Sequence, residues 1–225
     1  MRRLVLLSLL AAPVAAQTPA AHDMGHNADP THMVQTGPIP AGWAGRTDNG
    51  RPLAGANFTS MGTGFHVTTG PAVILWRAAD RAPGEFHTLA TFTQTKAPMH
   101  PEGYGLFVAG SGLDTTNQAY IYCLVRGDGA FIIKRRVADQ ATAIVDWTPN
   151  AAVNKADSAG KATNKIEAQF SGGKLVFKIN GTQVYSMDAT PAQADGIVGL
   201  RVNHNLDVHV DGFALHQIGA ASYSH

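Results

Sequence analysis

Residues 117–136, NQAYIYCLVRGDGAFIIKRR, constrain the fold more than any other stretch of the chain. Two runs rich in β-branched and aromatic residues flank Gly127-Asp128-Gly129, where positive φ costs little, so the segment predicts a β-hairpin. Tyr120 and Tyr122 fall on one face of its first strand, and Lys134 and Arg136 share a face of the second. A chain committed to this hairpin needs further strands to cover it, because an isolated hairpin is marginal in water.

The remaining sequence supplies them. From Trp43 onward, short runs of alternating polarity are punctuated by Gly, Pro and Asn: 64–69, 71–77, 85–94, 104–110, a strand near 142–147, KIEAQF, KLVFKIN and TQVYSMD. In 85–94, Phe86, Thr88, Ala90 and Phe92 alternate against His87, Leu89 and Thr91. Asn180-Gly181 marks a tight hairpin. Residues 149–163 read as a long loop with at most a helical turn. About eleven to thirteen strands and no long helical pattern predict an all-β sandwich.

The stretch 195–215, DGIVGLRVNHNLDVHVDGFAL, combines the clearest strand pattern with the densest chemistry. Asp207, His209 and Asp211 alternate with Val208 and Val210, which predicts one ionisable and one apolar face. A single strand reaching back to Arg201 would be about 50 Å long against a usual ~17–20 Å. Asn203-His204-Asn205 is therefore expected to turn the chain between antiparallel strands 197–202 and 206–215.

The N-terminus, MRRLVLLSLLAAPVAAQ, has a basic start, a short apolar core and small residues before Gln17. That is the pattern of a signal peptide, residues 1–16, and predicts a secreted or periplasmic protein. Of the 17 basic residues, Arg2 and Arg3 leave with this segment, so the remainder falls one short of the 16 acidic ones. Such a balance offers no electrostatic footprint for nucleic acid. No later apolar run has the length for membrane insertion. Cys123 stands alone in YIYCLV, which excludes an intrachain disulfide and reads as a buried strand residue. Residues 17–40 read as a disordered linker bearing His22, His26, His32, Met24 and Met33. Imidazole and thioether suit copper, and imidazole alone suits zinc or nickel, but a plain polar tail has the same composition. No motif requires a cofactor; a divalent metal is the one the residues allow. The β domain is expected over 41–218, with a tail at 219–225.

KLVFKINGTQVYSM (174–187), DGIVGLRV (195–202) and VHVDGFAL (208–215) resemble the hairpin and the last two strands of the concanavalin A-like lectin/glucanase superfamily. The resemblance spans 64–216 and extends to laminin G-like modules and to secreted bacterial domains like the 3-keto-disaccharide hydrolases. It implies a two-sheet antiparallel jelly-roll sandwich whose concave sheet meets a glycan. The acidic pair of family 16 glucanases is missing: Glu85, Glu102 and Glu167 are the only glutamates, and none stands in an E-x-D-x-x-E motif. The Arg-Glu pairing and Gln-x-His signature of the lyases are absent too.

The expected function is recognition of a carbohydrate or related extracellular ligand. The alternatives are a hydrolase or lyase acting on a modified disaccharide, and a structural or adhesion module of the cell envelope. Expected ligand contacts are Tyr120, Tyr122, Arg126, Lys134, Asn203, His204, Asp207, His209 and Asp211, with Gln118 in the floor of the groove. The hairpin residues supply aromatic faces for sugar CH groups and donors for hydroxyls. The same residues also suit core tyrosines and a wetted surface. For catalysis the candidates are His209 with Asp207 or Asp211, and His100 with Glu102 in the HPEGYG loop.

Overall fold

The structure, a computed structural model, describes residues 36–48, 50 and 53–219. The expected signal peptide, most of the expected linker with His22, Met24, His26, His32 and Met33, and residues 220–225 lie outside them.

Fourteen strands among the described residues form two antiparallel sheets. Sheet A takes β1 (Ala44–Thr47), β4 (Val73–Ala82), β13 (Gly196–Val202), β6 (Gly103–Ser111), β7 (Ala119–Arg126), β8 (Ala130–Val137) and β9 (Gln140–Pro149), in that spatial order. Sheet B takes β12 (Thr182–Asp188), β11 (Lys174–Ile179), β10 (Ala162–Ser171), β5 (Phe86–Gln94), β14 (Asp207–Gln217), β3 (Gly64–Thr69) and β2 (Ala56–Met61). This is the all-β, two-sheet antiparallel sandwich of concanavalin A-like, jelly-roll kind.

The core lies between the sheets and follows from the period of two. On β5, Phe86, Thr88, Ala90, Phe92 and Gln94 are buried while the residues between them are not. Phe92 meets Tyr104 of the opposite sheet at 5.7 Å between ring centroids. Such a side chain stabilises the fold by roughly 1.5–3 kcal/mol when it leaves water. The hairpin at 117–136 forms as β7 and β8, with Tyr120 paired to Arg136 and Tyr122 to Lys134. All four therefore share one face. Asn180 and Gly181 adopt φ of 51° and 81°, the left-handed pair that a two-residue hairpin requires. The Asn180 side chain is engaged with Ala152 and Asn164, and accepts from the Lys165 backbone N–H.

The expected pairing of 197–202 with 206–215 is corrected. β13 sits inside sheet A between β4 and β6, and β14 inside sheet B between β5 and β3. Val198, Leu200 and Val202 meet the core from one side, and Leu206, Val208 and Val210 from the other. A hairpin would bury both sets on one sheet, whereas an arch lets them close on each other. Asn203–Asn205 makes that arch, held by β3: Thr69 Oγ1 donates to Asn203 O at 2.6 Å, and Leu206 N donates to Thr69 Oγ1 at 3.1 Å. Residues 150–161 form a loop without a helix, and α1 (Pro191–Ala194), the one helix among the described residues, begins with a capping box between Thr190 and Gln193.

Candidate functional site

The arch decides which side chains meet. Residues of β13 that alternate with its core positions point to the outer face of sheet A, away from sheet B. There a second cluster is buried, comprising Ile74, Trp76, Phe107, Leu113, Tyr120, Tyr122, Leu124 and Ile132. Gly199 makes room for it: a Cβ there would stand 2.5 Å from Phe107 Cζ.

Into this cluster projects Arg201, wholly buried. Its guanidinium grips both carboxylate oxygens of Asp48, with Nη1–Oδ1 at 2.7 Å, and donates to Tyr120 Oη at 2.9 Å. Its carbon lies 5.0 Å from the Tyr122 ring centroid. Arg136 Nη1 adds a second cation 3.3 Å from Asp48. Burial opposes the Asp48 charge, but Arg201, Arg136 and His204 outweigh it and hold the carboxyl at about 2. Burial raises both tyrosine phenols, keeping them neutral, while Arg201 pulls the other way. His204 is pushed below the ordinary imidazole value, first by burial and then by Arg201, against the Asp48 charge.

At one end of the cluster Arg126 and Trp147 are only half-buried. Trp147 on β9 lies across Gly103, where a Cβ would come within 2.9 Å of the indole Cη2. Arg126 stacks on that indole at 4.4 Å and pairs with Asp128 at 2.8 Å. Beside them Glu102 is half-buried. Burial raises its pKa, while a side-chain hydrogen bond from Asn203 and the charges of Arg201, His100 and Arg126 oppose the rise. Three buried atoms of this neighbourhood have no hydrogen-bond partner: Arg201 Nε, Tyr122 Oη and Asn203 Oδ1. Buried polar atoms are rarely left so, which makes their grouping informative. A cavity of about 160 Å³ adjoins the other end, lined in part by Tyr120, Arg136 and Gln193.

Tyr120, Tyr122, Arg126, Lys134, Asn203 and His204 thus gather at one face, joined by Glu102. Gln118 is buried, its amide donating to Ala138 O at 3.4 Å. Arg201, Asp48 and Trp147 were not singled out by sequence reasoning. Arg201 had a detectable signal: an arginine in GIVGLRV at a position alternating with Val198, Leu200 and Val202, flanked by aromatic strands.

Asp207, His209 and Asp211 do not share this face. They lie on the outer face of sheet B, on the far side of the core, which corrects the expectation of one groove. Asp207 pairs with His66 at 2.7 Å and Lys96 at 3.1 Å, and takes a hydroxyl from Thr95. Burial raises its pKa, but Thr95, Lys96 and His66 together bring it below the ordinary value. Asp211 accepts from Thr63 Oγ1 at 2.8 Å. His209 stands opposite His66 and Thr93, its Nδ1 buried with no hydrogen-bond partner. Among the described residues no three His, Cys, Asp or Glu side chains are grouped to hold a metal ion. No helix among them is long and apolar enough to cross a membrane.

No protein-family model matches the chain, and no curated protein does. Solved structures do. The carbohydrate-binding module CBM66 from Bacillus subtilis superposes with a TM-score of 0.57 at 13% identity, over 78% of this chain and 96% of that one. A Bacillus subtilis protein of unknown function with a galectin-like fold gives 0.58 at 13% identity, over 78% and 89%. A functionally unknown protein from Saccharomyces cerevisiae gives 0.50 at 10% identity, over 78% and 96%. At these identities the likeness is one of fold, that of an all-β, two-sheet antiparallel sandwich.

Proposed function

We propose that the protein recognises a carbohydrate on the outer face of sheet A, at the opening bounded by Trp147, Arg126, Glu102 and Asn203. The observation that carries this reading is the stacked Arg126–Trp147 pair beside a half-buried carboxylate and an asparagine. An indole face accepts the CH side of a sugar ring, while guanidinium, amide and carboxylate meet its hydroxyls. The floor under them is held by the Arg201–Asp48 pair, so the rim is positioned before a ligand arrives. On the outer face of sheet B, Asp207 and Glu167 already serve His66, Lys96, His87 and Lys165. The fold shared with a carbohydrate-binding module supports the reading without carrying it.

The test is affinity electrophoresis or calorimetry against a panel of soluble polysaccharides, with Trp147→Ala as the variant. At least one polysaccharide should bind, and the variant should lose about tenfold or more in affinity, the scale of one lost stacking contact with its partner groups. Undiminished binding by Trp147→Ala sinks the proposal.

A second reading has one observation in its favour. Glu102 is a carboxyl whose burial raises its pKa, the property of a general acid. Reducing-end release from a bound oligosaccharide that disappears in Glu102→Gln would make the module an enzyme. The alternative catalytic set, His209 with Asp207 or Asp211, faces the opposite side of the sandwich from this opening.

A further inference from the structure

We infer that the outer face of sheet B carries a binding site for a divalent late transition metal, copper(II) foremost, held by the imidazoles of His87 on β5 and His216 on β14. The inference is independent of the carbohydrate reading, which concerns the opposite face. The pairing of β5 with β14 sets the two residues directly opposite each other. Their Cβ atoms are therefore about 4.5–5.5 Å apart. Each alternates with a neighbour, Thr88 or Leu215, that turns toward the core, so both imidazoles stand on the outer face. Their rings are nearly parallel, with 24° between planes and 6.2 Å between centroids. Two imidazoles on one metal ion each place a nitrogen about 2.0–2.1 Å from it, so their ring centroids are roughly 5.2 Å apart in tetrahedral geometry and at most roughly 6.4 Å. The observed spacing falls inside that limit. The terminal torsion of a histidine is soft, so the adjustment required is a ring rotation and not a strand movement.

Glu167 on β10 distinguishes His87 from an ordinary surface imidazole. Its Oε2 is 2.9 Å from His87 Nε2, and its side chain is only 9% exposed while that of His87 is 28% exposed. In a neutral ring the ionised carboxylate accepts from Nε2–H, which leaves Nδ1 as the lone-pair nitrogen. A carboxylate behind a ligating imidazole fixes its tautomer and orientation and raises its basicity. Lys165 lies 3.3 Å from Glu167 Oε1, the other oxygen, and leaves the contact with His87 intact. Glu167 is thus a positioning residue, and the ion has two protein ligands, with water completing its coordination. That agrees with the lack of any three-ligand group among the described residues. For nitrogen and water ligands copper(II) binds ahead of nickel and zinc. His66 and His209 are also directly opposed, but His66 gives its Nε2 to Asp207 and His209 has its Nδ1 buried.

The experiment titrates the full chain with copper(II) and zinc(II) chloride by calorimetry, and counts the nitrogens on bound copper by electron paramagnetic resonance. Because His22, His26 and His32 can take copper on their own, a second form carries alanine at all three and serves as the background for the other variants. That background should retain one copper equivalent with two imidazole nitrogens, bound more tightly than zinc. His216→Ala, which alters an exposed side chain, should weaken it by well over tenfold, and His87→Ala likewise. Glu167→Gln should weaken it by about tenfold and keep the two-nitrogen signal, since it acts through His87. An unchanged affinity in Glu167→Gln would overturn the positioning role. Failure of the background form to bind copper, or copper that survives His87→Ala combined with His216→Ala, would overturn the site. So would copper lost in His66→Ala or His209→Ala instead, which would move it to the other pair.

Discussion

The two outward faces of the sandwich are built from the same strand period and handle charge in opposite ways. On sheet A the ionic groups lie beneath aromatic rings, and one carboxylate, Asp48, serves two arginines. On sheet B the cations reach the surface, and His66–Asp207–Lys96 and His87–Glu167–Lys165 form short, partly hydrated chains around less exposed carboxylates. Burial separates their consequences. In a dry setting the Arg201–Asp48 attraction is strong, and so is the cost of losing either member. At the surface, water and salt replace a missing partner at little cost. The first arrangement fixes side chains in place; the second keeps a sheet face wet. A binding surface needs the former, because ordering its own groups on contact would cost affinity.

The largest effect that tests this contrast is the loss of one carboxylate from each face. Asp48→Asn leaves Arg201 buried with its charge uncompensated and should destabilise the protein by about 3–5 kcal/mol. Asp207→Asn removes a partner from groups that reach water and should cost about 1 kcal/mol. Urea unfolding of the two variants beside the native protein reads both numbers. Equal losses would mean that the faces do not differ in the way their burial indicates.

The same contrast explains what the sequence could show. Alternation made β5, the β7–β8 hairpin and the Asn180-Gly181 turn legible, because each is written in adjacent residues. The outward set Tyr120, Tyr122, Arg126 and Lys134 was legible for the same reason. The arch at 203–205 was not. Apolar alternation in β13 and β14 says that both strands meet a core, but not whether from one sheet or two, and three polar residues suit a hairpin as well as an arch. That ambiguity left open which face of the molecule carries Asp207, His209 and Asp211. Asp48 was illegible because its partner is 153 positions away, in an ion pair that no local pattern encodes. Trp147 was illegible because an indole half-buried against Gly103 looks, in sequence, like one wholly buried.

A smaller effect follows from pH. Asp48 has its pKa lowered from 3.8 to about 2 in the folded chain, so its stabilisation is complete above the higher value and is lost as pH falls toward the lower. By linkage the loss is about 2 kcal/mol. His204, depressed by burial, works in the same direction at higher pH: the unfolded chain takes up its proton first, so stability declines as pH drops below 6.5. Glu102 has the opposite sign, since its raised pKa favours the folded chain in acid. Unfolding free energies between pH 7 and pH 2 should therefore fall along two limbs. The limb below pH 4 should flatten in Asp48→Asn and persist in Asp207→Asn. Persistence of the full limb in Asp48→Asn would assign acid lability to the surface carboxylates instead.

The smallest expected effect is the most discriminating, because it concerns the residue that sequence reasoning favoured. His209 lies at the middle of the Asp-His-Asp row, and its Nδ1 is buried without a hydrogen-bond partner. It faces His66 and Thr93 across the strands. His209→Ala deletes a partly exposed ring and no ion pair, so it should change stability by about 1 kcal/mol or less. Affinity for any polysaccharide bound at Trp147 should stay within about twofold, as expected for sites on opposite faces with no shared partners. Calorimetry of His209→Ala beside Trp147→Ala makes the comparison directly. Should His209→Ala abolish binding while Trp147→Ala preserves it, the wet face of sheet B is the site, and the buried arginine of sheet A is left as a structural device alone.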